Sequence, residues 1–288
     1  MSRPSAPTFR LSHTAARLIL ALLLAAAGRD GQASPASPAG PDGRQAPAPT
    51  LAAVLDGVEA RLKTGFNYKG WAAASTTLIT VLDKAGRTEK ITRVDKNVRV
   101  VDGVRTEDIL KAVETEEGRD KDITRAYAEE QKARQEKERR RREEEARKGA
   151  KSGRRSGSFD LDEIMPFAAA KRPGYEFVLR PPVAGSSHLI LEAKAKVPSD
   201  KAWNGVYIID PDGYAILRAE VRPSKNPRFV KELWAEADIQ ALPGGRLFIK
   251  RTKFKVDGGI FIKHIRMIVD DAYTEARILD DSGSAGAD

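Results

Sequence analysis

The stretch 205-GVYIIDPDGYAILRAEV-221 alternates apolar and polar residues, turns at Asp210-Pro211-Asp212-Gly213, and alternates again. A two-residue period is that of a strand with one buried face, and Asp-Pro-Asp-Gly is turn chemistry, so the stretch reads as a hairpin. The pattern recurs in 246-RLFIKRTKFKV-256 and 260-IFIKHIRMIV-269, with Pro243-Gly244-Gly245 and Asp257-Gly258-Gly259 as the turns. Working outward, strands are predicted over Tyr175–Leu179, Ser187–Val197, Trp203–Asp210, Ala215–Val221, Lys231–Leu242, Arg246–Val256 and Ile260–Asp270. Gly70–Leu82 and Thr88–Val101 form an earlier hairpin around 84-KAGR-87. Strands in sequence order joined by short turns predict an antiparallel meander. The fold class is mainly β (α+β), a curved antiparallel sheet with one apolar face.

Helices are predicted at two places before that sheet. Thr50 is a good N-cap for 51-LAAVLDGVEARLK-63, where Leu51, Val54, Leu55, Val58 and Leu62 form one apolar stripe. After the Asp102-Gly103 turn, 106-TEDILKAVE-114 reads as a short helix capped by Thr106. Residues 159–170 read as a short helix or loop.

The first 33 residues have the make-up of a secretory signal: Arg3, Arg10 and Arg17, then the apolar run Leu18–Ala27, with small residues marking cleavage after Ala27 or Ala33. Residues 34–49 are rich in proline and alanine and read as a disordered linker. The folded domain is expected over 50–275, with a tail over 276–288. There is no cysteine, so disulfides and thiolate metal sites are excluded.

The formal charge of +9 comes from two appendages, the signal segment and 119–155; the rest of the chain is neutral. Within 118–158, Glu130/Arg134, Glu136/Arg140 and Glu138/Arg142 stand four apart, which supports an exposed charged helical insertion. It has no apolar seam for a coiled coil. Its arginines are interleaved with glutamates and lack aromatics for base stacking, so nucleic acid is not the expected partner. An anionic membrane surface could be met through Arg139–Arg155.

Enzyme signatures are absent: no Gly-x-Ser-x-Gly, no phosphate-binding Gly-x4-Gly-Lys, no His-Glu-x-x-His. His188 and His264 read as sheet or surface residues. Asp210-x-Asp212-Gly213 lacks the further oxygen ligands of a calcium loop. Asp270-Asp271 and Asp280-Asp281 read as a solvated strand end and tail. No catalytic residue, metal or cofactor is expected.

The order of elements, together with 204-NGVYIIDPDGYAILRAEV-221 and 244-GGRLFIKRTKFKVDGGIFIKHIRMIVDDAY-273, resembles the outer-membrane lipoprotein-sorting family, the LolA-like proteins, and the sigma-factor regulator domain that shares their fold. The likeness covers most of 50–275; the charged stretch 118–158 has no counterpart. The resemblance implies a half-open β-barrel covered by helices, whose concave side receives acyl chains in the periplasm. Phe248, Phe254, Phe261, Ile265 and Met267 would line the wall, and Leu51, Val54, Leu55 and Val58 the inner side of the lid. The implied partners are an acyl lipid or lipoprotein and an inner- or outer-membrane docking partner. The alternative is an envelope-stress signalling or assembly adaptor acting through protein contacts. A cavity of several hundred Å³ favours carriage, and a packed interior favours scaffolding.

Overall fold

The structure, a computed structural model, describes residues 49–101, 104–147, 164–181, 186–260 and 263–279. The signal segment, nearly all of the linker, the Asp102-Gly103 turn, Phe261 and Asp280-Asp281 lie outside them, as do 148–158 of the charged stretch and 159–163 of the short helix or loop read over 159–170.

The elements are α1 (Leu51–Gly65), β1 (Gly70–Leu82), β2 (Thr88–Val101), β3 (Val104–Glu116), β4 (Arg119–Asp122), α2 (Thr124–Arg147), β5 (Tyr175–Arg180), β6 (Leu189–Ala195), β7 (Trp203–Ile209), β8 (Ile216–Pro223), β9 (Val230–Ala241), β10 (Leu247–Ile260) and β11 (Lys263–Leu279). All strands join one 11-stranded sheet in the order β4-β3-β2-β1-β11-β10-β9-β8-β7-β6-β5. Every pairing is antiparallel. The last long strand returns to the first, Val81 facing Met267 and Gly70 facing Leu279. β4 and β5 remain as free edges, so the sheet is not closed.

Four sequence expectations change. Asp257-Gly258-Gly259 and Ile260 are not a turn and the start of a new strand but the end of β10, paired with Arg266, Ile265, His264 and Lys263, because the extended backbone there is held by the neighbouring long strand. The stretch 106–114 is strand, not helix: β3 alternates exposed and half-buried positions along most of its length. The acidic residues that suggested a helix start instead sit two apart from a cation, so that Glu107 meets Arg105 on the same face, its Oε1 accepting from Nε at 2.7 Å. The charged stretch opens with a strand, β4, before α2 begins. β11 runs to Leu279, past the expected boundary at 275.

α1 starts as its sequence indicates, the Thr50 side chain accepting from Ala53 N–H. Its stripe puts Val54, Leu55 and Val58 into the main core with Leu191, Tyr207, Ile209, Phe254 and Met267. Full burial of an aliphatic side chain of this size contributes about 1.5–3 kcal/mol. Gly65 allows close approach, since a Cβ there would lie 2.5 Å from the Leu247 side chain. A smaller cluster joins Tyr68, Trp71, Val98, Val100 and Phe248.

Candidate functional site: the concave face

The inward side of the sheet divides into an apolar and a polar half. On β6 to β10 the inward positions carry Leu191, Tyr207, Ala219, Val221, Ala235 and Phe254, continued by Met267 and Val269 on β11. What covers them is not sheet. α1 lies over them, and beside it the chain from Ile164 to Phe167 is fully buried, with Phe167 edge-on to Tyr207 at 4.7 Å between ring centroids.

One arginine ties the two covering pieces together. Arg172 Nε donates to Phe167 O at 2.7 Å and Nη2 to Leu55 O at 3.0 Å, while Nη1 and Nη2 reach Asp56 and Glu59 at 2.5 and 2.6 Å. Hydrogen bonding from Lys63, with the Ala169 N–H and the Arg172 charge, holds Glu59 below the usual carboxylate range. The plug is thus cross-linked to itself by polar contacts and to the sheet by apolar ones.

Beneath it the space is small. A cavity of about 30 Å³ lies between Ile164 and Met165 on one side and Ala219, Val221, Ala235 and Phe254 on the other, with Thr252 and Lys253 at its wall. That is room for about one water molecule between these described residues. Two hydroxyls on this half, Tyr207 Oη and Thr252 Oγ1, are buried without a hydrogen-bond partner among the described residues. Burial pushes the Tyr207 hydroxyl far above its usual pKa. Gly205 leaves it room, since a Cβ there would sit 2.5 Å from the oxygen.

The polar half lies on β1, β2, β3 and the second part of β11. Asp271 is 0% exposed, which corrects its reading as a solvated strand end. It has the parity of Met267 and Val269, so it faces inward. Its Oδ1 accepts from Ser75 Oγ at 2.6 Å and Thr77 Oγ1 at 2.7 Å, and its Oδ2 from Tyr273 Oη at 2.7 Å. Arg105 Nη1 donates to Tyr273 Oη at 3.2 Å, and Lys96 Nζ to Glu107 Oε1 at 3.2 Å. Burial works against charge on Glu107, but Arg105 and Lys96 more than offset it and hold its pKa low. Two cations and two carboxylates balance.

α2 docks beside this half. Ala112 N–H donates to Thr124 Oγ1 at 2.9 Å, and burial, with Glu107 nearby, pushes the Tyr127 hydroxyl up. Farther along, Glu130–Arg134 and Glu136–Arg140 pair at 2.5 and 3.0 Å; the side chains of Glu138 and Arg142 are outside the described residues.

The wall and lid candidates fall into three groups. Val54, Leu55, Val58, Phe254 and Met267 are buried in the main cluster, and Leu51 and Ile265 are half-buried against it. Phe248 goes elsewhere: a bulge between Ile249 and Arg251 breaks the parity it shares with Phe254 in sequence, and it packs on Trp71 at 5.2 Å. Phe261 is outside the described residues. His188 and His264 lie toward opposite ends of the strands, and His264 Nε2 meets Asp257 Oδ1 at 2.8 Å. Among the described residues no cluster has the make-up of a metal site, and no helix is long and apolar enough to cross a membrane.

The chain matches no family model and no curated protein. Among solved structures it is similar to a domain described as an outer membrane lipoprotein-sorting protein domain from Vibrio parahaemolyticus, at 11% identity and TM-score 0.35, over 81% of this chain and 94% of that one. It is similar to a DUF1329 family protein from Desulfovibrio piger at 12% identity and TM-score 0.35, over 82% and 95%. A MucA/MucB complex from Pseudomonas aeruginosa follows at 9% identity and TM-score 0.20, over 78% and 98%.

Proposed function

We propose that this chain is an exported, periplasmic binding protein for lipid or the acyl chains of lipoproteins, acting in envelope lipid transport or lipoprotein sorting without a chemical step. The observation that carries this reading is the cover of the apolar half: α1 and Ile164–Phe167, fastened to each other through Arg172 rather than woven into the sheet. Each methylene withdrawn from water is worth ~0.8 kcal/mol. An acyl chain can therefore take the place of the plug's side chains at little net cost in apolar contact. The unpartnered Tyr207 hydroxyl supports the same reading, because a polar atom at the head of a bound chain would satisfy it.

Solvent extraction of the purified protein followed by mass spectrometry tests this directly. Co-purifying acyl lipid, or uptake of added phospholipid, is the expected result; a chain that never retains or takes up any acyl ligand refutes carriage.

A second reading, an envelope signalling or assembly adaptor, is favoured by the small cavity. There the sheet is a solid scaffold and the charged stretch from 118 to 158, with its basic run Arg139–Arg155, meets a partner or an anionic surface. Deleting that stretch separates the two readings: lipid uptake survives under the first, and partner binding is lost under the second.

A further inference from the structure

At one end of the sheet the β6–β7 and β8–β9 turns are bound together, Ser224 N–H donating to Ala202 O at 2.7 Å and Lys225 N–H to Ser199 O at 3.2 Å. The β8–β9 turn is also held by the neighbouring hairpin, since Gly259 N–H donates to Phe229 O at 2.9 Å. At Gly258 a Cβ would stand only 2.9 Å from that same oxygen, so the backbone of Phe229 is gripped from behind. Its φ of 70° lies in the left-handed region, which a bulky side chain adopts only at a cost. The ring itself points away from all this and is 54% exposed. A fixed, strained backbone presenting an aromatic ring to solvent is a costly arrangement for a turn whose only task is to reverse the chain.

The surroundings fit one kind of surface. Val197, on the adjoining turn, is 76% exposed. Lys201, Lys225, Arg228 and Lys231 are exposed around the two apolar side chains and, among the described residues, form no ion pair. Of the acids nearby, Glu232 is engaged with Lys255 at 2.7 Å and Asp257 with Arg266 at 2.7 Å, while the exposed Asp200 beside Lys201 leaves the rim cationic by four positive charges to one negative. The Arg228 guanidinium lies 4.7 Å from the Phe229 ring centroid. At the opposite ends of the same strands the β7–β8 turn carries Asp210 and Asp212 and shows no exposed large apolar side chain.

We infer that this rim docks on an anionic phospholipid surface, Phe229 and Val197 entering the interface and the four cations resting on the headgroup charge. Such a contact stands apart from α2 and does not depend on whether the concave face holds a ligand. Lipid extraction and vesicle binding can therefore fail independently.

Co-sedimentation of the purified protein with vesicles of phosphatidylglycerol and phosphatidylcholine, against phosphatidylcholine alone, tests the inference. Binding is expected to the anionic vesicles and to weaken with salt. Phe229→Gly relieves the positive φ, so its melting temperature should hold or rise while vesicle affinity falls roughly tenfold or more. Lys225→Ala with Arg228→Ala should cost about fivefold per cation. Equal binding to both vesicle types overturns the inference. So does unchanged binding of both variants, which would move the contact to the basic residues of α2, or binding only to an acidic protein.

Discussion

On β8 to β10 the inward positions are Ala219, Val221, Ala235 and Phe254, and a helix and a short coil cover them. On β1 to β3 and the second part of β11 they include, among Trp71, Val94, Val98 and Val100, the polar set Ser75, Thr77, Lys96, Arg105, Glu107 and Asp271, whose members satisfy one another. Both halves belong to one sheet and one face, but their energetics differ in kind. Apolar contact is non-directional, so one hydrocarbon surface can replace another. A buried charge network is specific, and each member left alone is an uncompensated charge. On the proposed reading the apolar half exchanges its cover, while the polar half cannot change without breaking and fixes the side of the sheet against which a cover would move.

The largest effect should come from the polar half. Asp271→Ala strands Ser75, Thr77 and Tyr273 hydroxyls and leaves Arg105 with one fewer anion nearby, and it should destabilise by about 3–5 kcal/mol in denaturant unfolding. A loss below about 1 kcal/mol would mean that water reaches this network and that the contrast between halves is false.

Arg172→Ala should cost less, about 1–3 kcal/mol, because it removes charge-assisted hydrogen bonds that are only partly shielded. Its distinguishing effect is on the apolar half: binding of an environment-sensitive apolar dye should rise while the folded state persists. Stability loss with no new dye binding would show that the plug is not released as a unit.

In the polar half acid should act through Glu107. The folded pKa of Glu107 lies below its unfolded value of about 4.3. The stabilisation it brings is therefore complete above that pH and is lost as pH falls through the lower folded value. Glu107→Gln should flatten the acid limb of a stability–pH curve, and an unchanged limb would assign acid sensitivity elsewhere. The smallest change is expected at Tyr207→Phe, which removes an unpartnered buried hydroxyl. It should leave stability level or raise it by up to about 1 kcal/mol, and a clear loss would reveal a partner for that oxygen.

The sheet was legible because strand period and turn chemistry agree: the Gly70–Leu82 and Thr88–Val101 hairpin and the meander from Tyr175 onward read directly from alternation and from Gly- and Asp-rich turns. β3 was obscured because Thr106, Glu107 and Asp108 imitate a helix start, while the pairing of β3 with β2 is non-local. The stripe of α1 was plain, but no sequence pattern states whether a stripe fills a hollow or lids one. Phe248 and Phe254 were separated by a bulge, a one-residue event that changes which way a side chain faces. The polar half did leave a signal, Lys96 and Asp271 standing at inward parities among valines. It was missed because an acidic pair late in a chain looks solvated until its neighbours on β1 are known.

Native-state hydrogen exchange would test the central contrast most directly. The amides of α1 and of residues 164–171 should open together at a free energy well below that of β1, β2 and β11, and acyl ligand should raise their exchange while leaving the polar half protected. Exchange of the plug only in concert with β1, β2 and β11, by global unfolding, would contradict a removable cover.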